Sequence, residues 1–147
     1  MGLKLTLRPN ERVVVNGCVI RNSDRRNVLT IETPADVVRS DDLLDEDAAA
    51  TPVKQAYFLI QTALIRPDTR EALVPVIQEK LADLVGIFNQ QTAGGVIEAA
   101  TCVSVGDYYK AMSALRPVMR HEAEVLDYIA ARSAGMAEAP NPAPEKA

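Results

Sequence analysis

The chain reads as α+β: a small N-terminal antiparallel β-sheet or open barrel followed by a C-terminal bundle of three to four helices. Three observations predict this. Apolar residues alternate with polar ones near the start (Leu3, Leu5, Leu7) and recur at spacings of three and four from Val53 onward. Asn16-Gly17 separates two short apolar runs, the strongest short-range hairpin signal, because both residues tolerate positive φ. An acidic stretch (Asp41, Asp42, Asp45, Glu46, Asp47) divides the two regimes. The expected units are a β-unit over 1–44, a helical region over 45–134 and a tail over 135–147. The tail is rich in Ala and Pro with no apolar run to bury, so it is expected to be disordered.

Leu3, Leu5 and Leu7 alternate with Lys4, Thr6 and Arg8 as a strand with one buried face. Pro9-Asn10-Glu11 breaks it. Arg12–Val15 and Cys18–Arg21 then form the hairpin, and a two-residue loop pairs Val15 with Cys18, Val14 with Val19, Val13 with Ile20 and Arg12 with Arg21. Val13, Val15, Cys18 and Ile20 are expected on the core face, and Arg12, Val14, Val19 and Arg21 on the other. Asn22–Arg26 turns, Asn27–Glu32 returns, and a short Val37–Arg39 strand closes a meander or small open barrel. Opposed arginines repel by a few tenths to ~1 kcal/mol unless neutralised. Glu11, Glu32, Asp24 or a phosphate would serve.

Ser40–Asp47 is expected as a linker or a short helical turn. Thr51-Pro52 is a helix cap followed by proline at the first helical position, and Val53, Tyr57, Ile60 and Leu64 form that helix's buried stripe up to Pro67. Asp68 and Glu71 resemble a capping box ahead of Leu73, Ile77, Leu81, Leu84 and Phe88, with Pro75 kinking the helix or delaying its start. Gly94-Gly95 punctuates before a shorter apolar segment, Val96–Val103, read as helix with strand as the alternative. Gly106-Asp107 stops it and caps the last helix. There Tyr108, Met112, Leu115, Met119, Glu122, Leu126 and Ile129 make a four-three stripe interrupted by Pro117 and Glu122.

Composition narrows the function. Residues 1–40 carry seven basic and four acidic side chains, a net +3, whereas residues 41–147 carry 9 and 16, a net −7, within a total of −4. Arginine concentrated on a small β-surface of an acidic protein points to an anion, with nucleic acid as the leading class. Scarce aromatics (four Tyr, two Phe, no Trp) weigh against base stacking. Two cysteines, Cys18 and Cys102, lie outside any CxxC pattern and are expected to be reduced, buried and cytoplasmic. The N-terminus lacks the apolar core of a secretion signal, and the Ala56–Ile65 run is far short of the ~20 residues that span a bilayer.

No GxSxG, P-loop or GxGxxG pattern occurs, and the single histidine, His121, sits mid-helix beside Glu122 and Glu124. One His and two distant cysteines do not make a metal site. No enzyme activity, cofactor or metal is expected. RPxxR recurs at Arg8–Arg12, Arg66–Arg70 and Arg116–Arg120 in three different structural settings, which favours coincidence over a repeat. The candidate nucleic-acid-binding residues are Lys4, Arg8, Arg12 and Arg21 on one surface, with Arg25 and Arg26 in the adjoining turn, the alternative being a solvated sheet face with local ion pairs. Guanidinium forks suit phosphates and guanine edges.

The stretch from Met1 through Arg26, with Leu29–Glu32, Thr51-Pro52 and Tyr57-Phe58, resembles the FlbT family of bacterial regulators of flagellin synthesis. The resemblance covers roughly residues 1–130. Cys18 and Ser23 stand where the family commonly has alanine and glycine, and Ser23-Asp24 still makes the turn. The resemblance implies a post-transcriptional regulator that associates with the 5′ untranslated leader of flagellin mRNA and lowers its translation or lifetime. It also implies a functional link to the flagellar protein FlaF and to flagellin. No contact residues carry over from it. The rival expectation is a protein-binding regulator whose helical region holds flagellin or FlaF, with indirect effects on mRNA. A homo-oligomer is expected from the sheet edges, which need covering, and from the last helix.

Overall fold

The computed structural model describes residues 2–138, with strands β1 (Leu3–Leu7), β2 (Arg12–Val15), β3 (Cys18–Arg21), β4 (Asn27–Ile31) and β5 (Val37–Val38). Helices α1 (Pro52–Ile65), α2 (Arg70–Val85), α3 (Gln90–Ser104) and α4 (Tyr108–Glu138) follow. Two 3-10 turns, Ser40–Asp42 and Glu46–Ala48, lie in the acidic connector between them. Residues 139–147 of the Ala/Pro-rich tail lie outside the described residues, and 135–138 belong to α4.

The strands form two small sheets rather than one meander. β1 pairs with β4, and the second sheet runs β3-β2-β5, antiparallel throughout. The hairpin register is the one its turn dictates: Asn16 (φ 50°) and Gly17 (φ 82°) bring Val15 opposite Cys18 and Arg12 opposite Arg21. A side chain on Gly17 would meet the Leu64 carbonyl at 2.9 Å, so the hairpin tip rests against the end of α1.

The faces of β2 differ from the sequence expectation. Val13 packs with Leu5 and Leu7, joined by Val15, Ile20, Leu29, Ile31 and Val37, which fills the space between the two sheets. Val14, expected on the outer face, is fully buried with Val38 in the helical core. β2 is therefore covered on both sides. Its Val13-Val14-Val15 run is the unbroken apolar signature of such a strand. Cys18, expected buried, is exposed at the hairpin. The layers are thus the β1–β4 sheet, the β3-β2-β5 sheet and the helices.

Thr51 caps α1 by accepting from the Lys54 N–H at 3.3 Å, with Pro52 as the first helical residue. Asp68 does not cap α2; Pro67–Thr69 form a 3-10 turn and the helix starts at Arg70, ahead of Pro75. α3 is capped by Asn89, whose side chain accepts from the Thr92 N–H at 2.9 Å, and it runs through Gly94-Gly95. A Cβ on Gly95 would lie 2.9 Å from Val118 Cγ2 and 3.2 Å from the Ala114 carbonyl, so this glycine permits close contact between α3 and α4. Asp107 caps α4 through the Lys110 N–H at 3.1 Å. The α4 stripe is buried through Tyr108, Met112, Leu115 and Glu122, while Leu126 and Ile129 are exposed. No helix among the described residues is long and apolar enough to cross a membrane.

Candidate nucleic-acid interface

Local signals build the cationic end of the β-unit. Asn22, buried at the β3–β4 turn, donates from Nδ2 to the carbonyls of Arg8 (2.8 Å) and Arg25 (2.7 Å) and accepts from Asn27 Nδ2 at 2.9 Å. Asn27 also donates to the Arg25 carbonyl at 3.1 Å. This network sets the turn carrying Arg25 and Arg26 beside the end of β1, where Arg8 follows Leu7. A groove of about 590 Å³ runs there, lined by Thr6, Arg8, Glu11, Arg26, Arg39, Asp41 and Asp42.

Glu11 organises the base of this groove. Its Oε1 accepts from the Arg8 backbone N–H at 2.8 Å, and its Oε2 accepts from the Ser40 hydroxyl at 2.6 Å. The Ser40 hydroxyl first, then the Arg8 amide, hold its carboxyl well below its ordinary 4.5, at about 2. Glu11 thereby ties the β1–β2 turn to the start of the acidic connector. Arg39 Nη2 donates to the Thr6 carbonyl at 3.1 Å, which fixes a third guanidinium against β1.

The predicted cations do not share one surface. Leu5 and Leu7 point between the sheets, so Lys4 lies on the outer face of the β1–β4 sheet. Arg12 and Arg21 share a face with Val14 and Val19, which puts them on the side of the other sheet that faces the helices, at its margin. The repulsion between Arg12 and Arg21 is relieved from the connector: Asp45 Oδ1 is 3.2 Å from Arg12 Nη2. Glu11, Glu32 and Asp24, the expected neutralisers, do not pair with Arg12. Arg8 pairs with Glu11 at 3.4 Å and with Asp41 at 3.7 Å. The Arg8–Asp41 and Arg12–Asp45 pairs are exposed on both sides, so they contribute ~0–1 kcal/mol each and weaken with salt.

Lys4, Arg21, Arg25, Arg26 and Arg39 have no carboxylate oxygen within 4.0 Å among the described residues. Lys4, Arg25, Arg26 and Arg39 follow β1 and its adjoining turn and groove; Arg21 stands apart on the hairpin. Arg39, one of the seven N-terminal cations but not one of the candidate residues, joins this group. Its position just after the two apolar residues of β5 was the available signal.

The helical side holds a second feature. Beyond Glu122 every α4 residue through Gly135 is exposed, including Val125, Leu126, Tyr128 and Ile129. No group of three or more potential metal ligands occurs among the described residues.

Comparison with known proteins agrees with the N-terminal resemblance. The family described as "Flagellar protein FlbT" matches residues 3–126. A flagellum biosynthesis repressor protein FlbT of Caulobacter vibrioides is 31% identical over 130 residues, 88% of this chain and 92% of that protein. A probable flagellum biosynthesis repressor protein FlbT of Caulobacter sp. is 30% identical over 130 residues, 88% of this chain and 99% of that one. One of the same description from Rhodopseudomonas palustris is 33% identical over 134 residues, 86% of this chain and 98% of its own. No solved structure matches. With the match running from β1 into the middle of α4, this chain belongs to the FlbT family.

Proposed function

We propose that this protein represses flagellar biosynthesis at the level of the message. It binds the 5′ untranslated leader of flagellin mRNA through the cationic end of the β-unit and lowers translation or lifetime of that message. The relatives' description as repressors of flagellum biosynthesis supports the regulatory part of this reading. The RNA part rests on one observation: Arg26 and Arg39 in the groove, Arg25 beside Arg26 in the turn and Lys4 on the outer face of β1 are all exposed and without carboxylate partners among the described residues. Residues 1–50 contain no aromatic side chain, so these cations engage backbone phosphates rather than stacked bases. Arg8, Arg12 and Arg21 are secondary contacts, the first two reached only when their carboxylate partners yield.

Titrating the purified protein with transcribed leader RNA between roughly 0.05 and 0.3 M salt tests the proposal. Four phosphate contacts give a log–log slope of about −3 on single-stranded RNA. No binding at the low-salt end, or affinity indifferent to salt, overturns it.

The exposed end of α4 favours a second reading, in which the helical region holds flagellin or FlaF and acts on mRNA indirectly. Val125, Leu126 and Ile129 continue the four-three stripe past the point where the bundle covers it. Capture of purified flagellin or FlaF without RNA, by a protein that ignores the leader, selects this reading.

A further inference from the structure

The acidic connector lies against the same guanidinium groups that the RNA reading needs. Asp41 is 3.7 Å from Arg8 Nη2, Asp45 is 3.2 Å from Arg12 Nη2, and Asp41 and Asp42 line the groove with Arg8, Arg26 and Arg39. We infer that the connector is a built-in competitor of RNA phosphate, screening Arg8 and Arg12 until a polyanion displaces Asp41 and Asp45. This inference rests on RNA binding by the β-unit.

The connector's anchoring separates competition from simple structural support. Gln61 on α1 accepts from the Leu44 N–H at 2.8 Å and donates to the Leu44 carbonyl at 2.9 Å. The Tyr57 hydroxyl donates to the Asp42 carbonyl at 2.5 Å, and Arg116 Nη1 is 3.7 Å from the Asp42 carboxylate. At the near end, Ser40 is held by Glu11. The backbone is therefore pinned on both sides without using Asp41 or Asp45. Those two carboxylates remain 91% and 73% exposed, presented at the surface as free phosphate oxygens would be. What they do is offset the positive field of the arginines they face.

A phosphate exchanging for each carboxylate keeps the guanidinium paired while freeing the carboxylate to turn into water. Arg8 Nε stays with Glu11 at 3.4 Å, so the competition is for its Nη2 and for Arg12 Nη2, and loss of the two competitors adds up to two effective phosphate contacts.

The test compares leader-RNA binding by wild type, Asp41→Asn with Asp45→Asn, and a charge-matched control, Asp83→Asn with Glu98→Gln on α2 and α3. The connector variant is expected to bind about tenfold tighter near 0.1 M salt, with a salt slope steeper by about 1.4, while the control stays within about twofold of wild type. A connector variant no tighter than the control, with wild type binding the leader, overturns the competitor and leaves the RNA reading standing. Failure of all three proteins to bind RNA overturns both. If the double variant does not fold, Asp41→Asn alone carries the comparison, since its carboxylate is almost wholly in solvent.

Discussion

Thr51 and Glu122, 71 residues apart, meet where α1 begins and where the packed part of α4 ends. The Thr51 hydroxyl donates to Glu122 Oε1, and the buried Val53 N–H donates to Oε2 at 3.2 Å. Because Thr51 also accepts from Lys54, two open donors of the first turn are satisfied by a threonine–carboxylate pair drawn from two helices. The carboxylate also sits at the positive end of the α1 dipole. An acidic residue in an otherwise apolar stripe is thereby explained: Glu122 is the cap that registers α4 against α1.

Replacing Glu122 by alanine strands the Val53 N–H in the core, and a loss of about 1–3 kcal/mol is expected. Thr51→Ala should lose about 1 kcal/mol. The double variant should lose less than the sum, as measured by urea denaturation in a double-mutant cycle. Strict additivity would mean that the two side chains do not act together.

Neighbouring glycines in α3 should respond in opposite directions. A Cβ at position 94 meets nothing within 4 Å, so Gly94→Ala should raise stability by up to about 1 kcal/mol through helix propensity. At position 95 the new methyl presses on Val118 and the Ala114 carbonyl, so Gly95→Ala should lower it by about 1–3 kcal/mol despite the same propensity gain. Thermal melts of the two variants compare them directly.

Glu11 should make the fold acid-sensitive. Its folded-state value of about 2 lies below its ordinary 4.5, so the protein gains stability from the ionised form at neutral pH. That contribution is complete above about pH 4.5 and falls progressively as the pH drops toward 2. In urea titrations the gap between wild type and Glu11→Gln should be largest at pH 7 and shrink across this window. A gap that is constant down to pH 2 would show that Glu11 acts by shape alone.

The division of the cations predicts unequal effects on RNA binding. Arg25→Glu with Arg26→Glu, which reverses two unpaired guanidinium groups, should abolish leader binding at about 0.15 M salt. Arg12→Glu with Arg21→Glu should weaken it less, because Arg12 is already engaged by Asp45. Both variants should keep the wild-type helical circular-dichroism signal. The reverse ranking would move the interface to the helix-facing side of the hairpin.

Position along α4 should decide what its apolar side chains do. Leu115 is fully buried, so Leu115→Ala should cost about 2–5 kcal/mol. Leu126→Asp with Ile129→Asp alters side chains that are 44% and 51% exposed and should leave stability within about 0.5 kcal/mol per site. Loss of flagellin or FlaF capture by that same variant would assign the exposed stripe to a protein partner.

Local chemistry makes much of this protein legible in its sequence. Asn16-Gly17 determined the hairpin register, since only a left-handed two-residue turn pairs Val15 with Cys18. Thr51-Pro52 and Gly106-Asp107 marked helix starts, since caps and proline act within one turn of chain. The switch from period two to period three-and-four gave the α+β class. What the tertiary structure decided were relationships across long stretches of sequence: that Val14 faces the helices, that Asp45 neutralises Arg12 and Asp41 faces Arg8 from 33 residues away, and that Glu122 caps a helix begun at Thr51. The physical reason is the same in each case. A side chain's face and charge partner depend on which element packs over it. In a chain with arginines at one end and carboxylates in the next segment, only the folded path of the connector determines which charges remain unpaired.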